Sequence, residues 1–232
     1  LLLSVAFSSI GFIASITVTV LAAREVSSNP LFVGFPNAVG VGGAVLGTRM
    51  IYLISKNNSQ LNALAFTFLI GAFGGAIMFY SLIVDSFALL LFGAFILGIG
   101  QSATLQTRYA ASFVASEKFK ATALSLAVWF SVFGSVFGPR MVGSYSNFFE
   151  NIFNSELIVG YVIALVGMLF AASSLFIFTS KKSILRSPSN LESELNNQNS
   201  NKKNGNLLSL LLVLNHFTMV VIMSATPLHI QD

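Results

Sequence analysis

The chain has 232 residues, of which 55% are hydrophobic and only 9% are charged, and its mean hydropathy is +0.81. A soluble domain typically carries about 25% charged residues, so the composition excludes a water-soluble globular protein. The net charge of +4 does not indicate a nucleic-acid partner, because the basic residues lie in short connections between apolar stretches. Cysteine is absent, which excludes a disulfide framework and any cysteine-based metal site.

Seven stretches of the sequence are long and apolar enough to cross a membrane, since about 20 apolar residues in a helix span a ~30 Å hydrocarbon layer. The predicted spans are Leu2–Ala22, Leu31–Ile54, Leu61–Val84, Phe87–Leu105, Ala121–Val142, Leu157–Thr179 and Leu207–Ile230. Continuous apolar runs lack the alternating period of a membrane barrel. The predicted fold class is therefore an all-α integral membrane protein.

The sixth and seventh spans are separated by a long polar segment, residues 181–206, which is rich in Asn, Ser, Lys and Glu. This composition cannot bury a core and predicts a flexible linker. We therefore expect a six-helix bundle over residues 1–180, the linker over 181–206, and a seventh helix over 207–232 that begins a second bundle. We expect the chain to be a fragment whose C-terminal half is missing.

The basic residues predict the orientation in the membrane. With the N-terminus in the cytoplasm, nine of them fall inside and two fall near the outside, as the positive-inside rule expects. The residues expected inside are Lys56, Arg108, Lys118, Lys120, Lys181, Lys182, Arg186, Lys202 and Lys203. Arg24 and Arg140 are expected near the outside, and Arg49 lies within a span. The prediction is a multi-pass protein of the cell membrane, inner or plasma, with a cytoplasmic N-terminus and linker.

Residues 134–143 of the fifth span read GSVFGPRMVG and resemble the G-x-x-x-G-P-x-x-G-G signature of antiporters of the major facilitator superfamily. The matching residues are Gly134, Gly138, Pro139 and Gly143, and Val142 replaces the first glycine of the final pair. Gly134 and Gly138 lie one turn apart and predict close packing of a neighbouring helix. Pro139 lacks an amide donor and is expected to bend the helix end. The resemblance implies that this segment restricts leak and contributes to gating.

Three further stretches are compared with the same family. Residues 97–101, LGIGQ, resemble its glycine-containing fourth-helix motif, with Phe95 in place of the usual arginine. The cytoplasmic loop expected from Arg108 onward ends at Lys120, which stands where the family has an arginine before the fifth helix. After the second span, Lys56 alone retains a cation of the family's charged loop motif. The resemblance implies the N-terminal six-helix half, plus the seventh helix, of a secondary transporter.

The candidate substrate or coupling residues are polar side chains within the predicted spans. They are Arg49, Gln101, Gln106, Asn215 and His216. A charge in a span costs about 2.5–3.5 kcal/mol on insertion scales, so Arg49 either faces a water-filled cavity or extends to the headgroups. His titrates near physiological pH, which suits proton coupling, although a histidine at the interface is also a simple headgroup neighbour.

Polar residues also recur on the first span, where Ser4, Ser8, Ser15 and Thr19 share one helical face. This face either lines a polar route or supplies hydrogen bonds to the helix backbone and to a neighbouring helix.

The chain carries no catalytic or nucleotide-binding motif, so neither an enzyme nor a cofactor or metal is predicted. The predicted function is secondary active transport of a small organic solute by alternating access, with proton-coupled export as the specific form. The expected partners are this solute, the lipid bilayer, protons and the missing C-terminal half, and not nucleic acid. Two alternatives stay open, namely a membrane-spanning subunit of a multisubunit permease and a seven-helix receptor-like protein.

Overall fold

The computed structural model describes residues 1–27, 32–153 and 155–181. Within these ranges the chain is all-helical and has no strand. The helices are α1 (Leu2–Val26), α2 (Phe35–Asn57), α3 (Gln60–Ile83), α4 (Phe87–Val114), α5 (Lys120–Phe153) and α6 (Ile158–Lys181), with a 3-10 turn at Glu117–Phe119. All six are long and apolar enough to cross a membrane, which confirms the predicted all-α membrane class for this part of the chain. The linker beyond Lys181 and the predicted span Leu207–Ile230 lie outside the described residues.

Two helices extend well past the ends that hydropathy predicted. α4 was expected to end at Leu105 and continues to Val114, and α5 was expected to end at Val142 and continues to Phe153. Hydropathy locates where a chain leaves lipid, whereas a helix continues as long as its backbone hydrogen bonds are not interrupted. The expectation that Pro139 marks a helix end is wrong, because Pro139 lies inside α5. One missing amide donor is tolerated within a membrane helix.

Contacts between the helices fix their relative directions. α1 and α6 are antiparallel, since Ser4 Oγ lies 2.6 Å from Ser174 Oγ while the Tyr161 hydroxyl donates to Thr19 Oγ1 at 3.4 Å. α2 runs parallel to α4, because Gly40 lies against Gly98.

The same pairing holds two turns later in α2, where Gly47 lies against Ile99 and Ser102. α3 runs antiparallel to α4, since Gly71 meets Gly100 while Met78 meets Gly93. The helices therefore alternate in direction.

Small and large apolar residues together form the core. Tyr161, Phe68 and Met168 are fully buried. Helices in lipid have no hydrophobic driving force between them, so tight packing needs small residues that let the backbones approach. The glycines on α2, α3 and α4 allow this close approach. Helices α1, α3, α4 and α6 form the well-packed part of the bundle, with α2 against α4 and α5 against α1.

The outer helices α2 and α5 are the least covered. In their apolar stretches 22% of the residues are buried, against 50–56% in the other four helices. Each of these two helices packs mainly on one neighbour, so most of its circumference is open. Charged residues described below lie on these two open faces.

Charge differs between the two ends of the bundle. The end at which α1, α3 and α5 begin, called the basic end below, carries Lys56, Lys118 and Lys120 at the helix termini, Arg108 within α4, and one carboxylate, Glu117, in the 3-10 turn. The opposite end carries the carboxylates of Glu25, Asp85, Glu150 and Glu156, together with Arg24. This distribution is the structural basis of the predicted orientation.

Candidate functional site

Arg140 lies on α5 at mid-height of the bundle. It follows Gly138 by two residues, about 3 Å along the helix, and a β-carbon on Gly138 would lie 3.1 Å from the amide nitrogen of Ala14. Ala14 is the central residue of α1, which runs from Leu2 to Val26. The expectation that Arg140 lies near the outside is therefore not met.

The side of α5 that carries Arg140 is open. At about 100° per residue, Arg140 is turned roughly 160° away from Gly138, which contacts α1, and its side chain is exposed. The same side presents a row of rings, in which the Trp129 and Phe133 centroids are 5.3 Å apart and the Phe133 and Phe137 centroids are 5.8 Å apart. A charged residue thus follows an aromatic row on one uncovered helix face.

Arg49 occupies a comparable place on α2. The preceding Gly47 packs closely on Ile99 of α4, so Arg49 points away from that contact, and it is exposed. The two least-covered helices therefore each carry one exposed arginine within their apolar stretch.

Arg108 was expected in a cytoplasmic loop, but it lies inside α4, six residues before the helix ends at Val114. Because α4 is continuous, Gln101, Thr104 and Arg108 share one face at spacings of three and four residues. Gln106 was expected to act beside Gln101, but it is turned about 160° away from Arg108 on the same helix. The structure thus groups Gln101 with Arg108 and separates Gln106 from both.

Two polar atoms on this α4 face are enclosed and have no hydrogen-bond partner. They are the hydroxyl Oγ1 of Thr104 and the guanidinium Nε of Arg108. Thr107, on the same helix, behaves in the ordinary way and donates to the carbonyl of Ala103 at 2.7 Å. Sequence analysis did not single out Thr104, because a lone threonine in a membrane helix is normally bonded to its own backbone.

The glycines of the fifth-helix signature have unequal roles. A β-carbon on Gly134 would lie 2.6 Å from the carbonyl carbon of Ser9, so the backbones of α1 and α5 are in close contact there. Gly138 packs on α1 one turn later. Gly143 is exposed and has no atom within 4 Å of the corresponding position. Close packing therefore involves the first two glycines of the signature and not Gly143.

The polar face of α1 is directed into the bundle. Ser15 and Thr19 donate to carbonyls of their own helix, at 2.7 Å each, and Ser8 donates to the carbonyl of Val5 at 3.2 Å. Ser4 and Thr19 also contact α6 through the side-chain pairs already described. Of the two readings that the sequence left open, the structure shows the hydrogen-bonded helix interface.

The remaining predicted residues lie at helix ends or beyond the described ranges. Lys56 is exposed in the last turn of α2, and Lys120 is the first residue of α5. Asn215 and His216 lie outside the described residues. Within the described ranges, no three residues of the types His, Cys, Asp and Glu are grouped so that they could hold a metal ion.

The arrangement is suited to recognising negative charge. Arg49, Arg108 and Arg140 lie within helices, whereas the carboxylates Glu25, Asp85, Glu150 and Glu156 stand at the far end of the bundle and Glu117 lies in the 3-10 turn at the basic end. A guanidinium only donates hydrogen bonds and keeps its charge at any physiological pH. The described helices therefore offer donors and positive charge, and no nucleophile activated by a neighbouring base.

Two curated proteins are similar to this chain along almost its whole length. "Uncharacterized MFS-type transporter YdeG" of Bacillus subtilis (strain 168) is 27% identical over 235 residues, which are 97% of this chain and 55% of that protein. "Uncharacterized MFS-type transporter YddS" of the same organism is 28% identical over 240 residues, 99% of this chain and 55% of that protein. The predicted resemblance to the major facilitator superfamily is confirmed.

The chain spans about half the length of these major facilitator relatives. No protein-family model matches the chain, and no solved structure matches it. The relatives' names describe transporters, which agrees with the six apolar helices of the described part.

Proposed function

We propose that this protein is a secondary active transporter that moves a small organic solute by alternating access. The proposal rests on the similarity to proteins named as transporters of the major facilitator superfamily, and on polar residues that face open surfaces within the bundle. In such proteins the solute site lies near the bilayer midplane between two bundles. The described helices would form one of the two bundles.

The exposed Arg140 is the observation that carries the proposal. A guanidinium near the centre of a bilayer costs about 2.5–3.5 kcal/mol on insertion scales when it faces lipid. Arg140 lies about 3 Å past the middle of α1, about 15 Å from its nearer end at 1.5 Å per residue, so its side chain cannot easily reach headgroups. The open face of α5 is therefore better suited to a water-filled cavity or to a charged partner than to lipid.

The missing partner of that face would be a second bundle. The match covers 55% of each relative, and the other 45% of these proteins is long enough for a further set of spans. We assign the predicted linker from Lys181 to Asn206 to the connection between the bundles, and Leu207–Ile230 to the first helix of the second. The second bundle would then cover α2 and α5 and enclose the solute path between the halves.

The basic end would face the cytoplasm of a cell-membrane protein, in keeping with the positive-inside rule. A proton is the coupling ion proposed for export. One charge moving through 100 mV supplies about 2.3 kcal/mol, which sustains roughly a fifty-fold gradient of solute. Asn215 and His216 remain the proposed coupling residues, and Gln101 and Gln106 remain the proposed solute contacts.

The test is solute flux into proteoliposomes that contain the full-length protein. Uptake or release of radiolabelled solutes is measured with and without an imposed pH gradient, and compared with the variants Arg140→Gln and Phe73→Leu. Phe73 is an exposed apolar residue near the middle of α3 and serves as the matched control. We expect flux that the Arg140 variant reduces and the Phe73 variant retains. Flux that does not change with the pH gradient would contradict proton coupling. Flux no greater than that of empty vesicles would contradict the transport function.

A further inference from the structure

Thr104 is a buried hydroxyl that the protein leaves without a partner. The residue is only 3% exposed, and its Oγ1 is enclosed and unbonded. Threonines elsewhere in the bundle donate to the carbonyl four residues earlier, as Thr19, Thr67 and Thr107 do at 2.7–2.8 Å. The same local bond is open to any threonine in a helix, so Thr104 differs from these threonines in leaving its hydroxyl unbonded.

Arg108 follows Thr104 by one helical turn and is half-buried, with its Nε also enclosed and unbonded. Residues four apart in a helix lie on the same side of it, so Arg108 and Thr104 are neighbours on one face of α4. Arg108 does not cap the helix, because α4 continues six residues farther, to Val114. One unbonded cationic donor and one unbonded hydroxyl therefore share a patch of α4.

Of the carboxylates in the described residues, four lie far from this patch. Glu25, Asp85, Glu150 and Glu156 are at the end of the bundle opposite Arg108, where α4 begins at Phe87, 21 residues or about 32 Å from Arg108 at 1.5 Å per residue. Glu117 lies at the same end as Arg108, but in the 3-10 turn beyond the end of α4, nine residues after Arg108.

The two groups together select one ligand chemistry. Arginine has donors and no acceptor, and a threonine hydroxyl donates as well, so both are satisfied at once by an atom group that accepts several hydrogen bonds. Carboxylates and phosphates do this, and arginine pairs with either in a planar, two-point geometry. A cationic solute would be repelled, and a neutral one would leave the guanidinium charge uncompensated in a low-dielectric site.

We propose that Thr104 and Arg108 form an oxyanion-binding site near the basic end of α4, and that the carboxylate or phosphate bound there belongs to the transported solute. The inference rests on the proposed transport function. A solute is favoured over a fixed carboxylate of the second bundle, because Arg49 and Arg140 add positive charge at other depths of the same bundle. One fixed carboxylate could pair only with Arg108, whereas a mobile anion can pair with each of these arginines in turn.

Binding is tested on the full-length protein, purified in a maltoside detergent that contains no phosphate. Thermal stabilisation is measured with succinate, inorganic phosphate and the dication putrescine. We expect at least one of the two anions, and not putrescine, to raise the unfolding temperature in a saturable manner. Arg108→Gln should abolish this stabilisation, Arg108→Lys should retain part of it, and Thr104→Val should weaken the apparent affinity by about tenfold, the loss expected for one hydrogen bond to a charged group.

Two matched controls separate the site from general effects. Thr107→Val removes a buried hydroxyl that is bonded within its own helix, and Lys118→Gln removes an exposed cation at the same end of the bundle. Both should bind the anion as the unchanged protein does. If Arg108→Gln does not fold, Arg108→Lys and Thr104→Val still test the oxyanion site, since neither removes the positive charge.

The outcomes distinguish this inference from the transport function itself. Equal anion binding by Arg108→Gln, or no stabilisation by either anion, overturns the oxyanion site. If replacing a carboxylate of the second bundle by the corresponding amide restores the stability of Arg108→Gln, that carboxylate is a fixed partner of Arg108. This result overturns the assignment of the bound oxyanion to the solute. If Arg108→Gln transports a neutral solute as fast as the unchanged protein does, the transport function is supported and the anionic solute is contradicted. If anion binding depends on Arg108 but the protein transports no solute, the oxyanion site is supported and the transport function is contradicted.

Discussion

The contact between α1 and α5 at Gly134 offers a quantitative prediction. In Gly134→Ala the new β-carbon would lie 2.6 Å from the carbonyl carbon of Ser9 and 2.9 Å from the amide nitrogen of Ile10. Ordinary van der Waals contacts begin at 3.4 Å, so the two backbones must separate by 0.8 Å, the difference between 3.4 and 2.6 Å. Overpacking of a tight contact costs about 1–3 kcal/mol.

Gly143→Ala is the matched control, because it makes the same change in the same helix with no atom within 4 Å. Both variants share the gain in helix propensity of replacing glycine, about 0.5–1 kcal/mol, so the difference between them isolates the contact. We expect Gly134→Ala to have a free energy of unfolding about 1–3 kcal/mol lower than Gly143→Ala. The assay is an SDS titration of the purified protein followed by circular dichroism. Variants that agree within about 0.5 kcal/mol would refute the close approach of the backbones.

Other predictions address the α1–α6 interface and the orientation. Ser4→Ala removes the side-chain bond to α6, and we expect it to lower the free energy of unfolding by about 0.6 kcal/mol in the same titration. Ser173→Ala, whose hydroxyl bonds only its own helix, should change the stability by less; equal losses would contradict an interhelical role. Since the chain has no cysteine, Lys118→Cys should react with an impermeant thiol reagent only from the cytoplasm and Glu150→Cys only from outside; the reverse pattern would invert the orientation.

Much of the helical framework could be predicted from the sequence, because lipid leaves the backbone few options. A spanning chain must satisfy its own amides, so an apolar run of sufficient length becomes a helix. The starts of α1, α3 and α4 were predicted within one residue. The end of α4 was missed, because the residues after Leu105 are polar enough to leave lipid and still helical.

The candidate site was harder to predict than the fold. Arg140 was expected near the outside because the fifth span was predicted to end at Val142, but its depth depends on how α5 is aligned with α1, and that alignment comes from the contact of Gly138 with Ala14. Thr104 carries no signal in the sequence, since only its three-dimensional surroundings reveal that its hydroxyl is unbonded. Arg108 was named as a candidate, but it was assigned to a loop because the predicted end of α4 was too early. Its position one turn after Thr104 on the same helix was therefore missed.

The central claim is that the open face of α5 borders water within the membrane, and thiol labelling at position 140 tests it most directly. In the full-length protein, freed of any cysteines in its other half and reconstituted in lipid, Arg140→Cys should react with a water-soluble thiol reagent. Phe73→Cys, exposed near the middle of α3, should not react. Substrate should change the rate at position 140. A position 140 as unreactive as position 73 would show that this face does not border water, and would contradict the account.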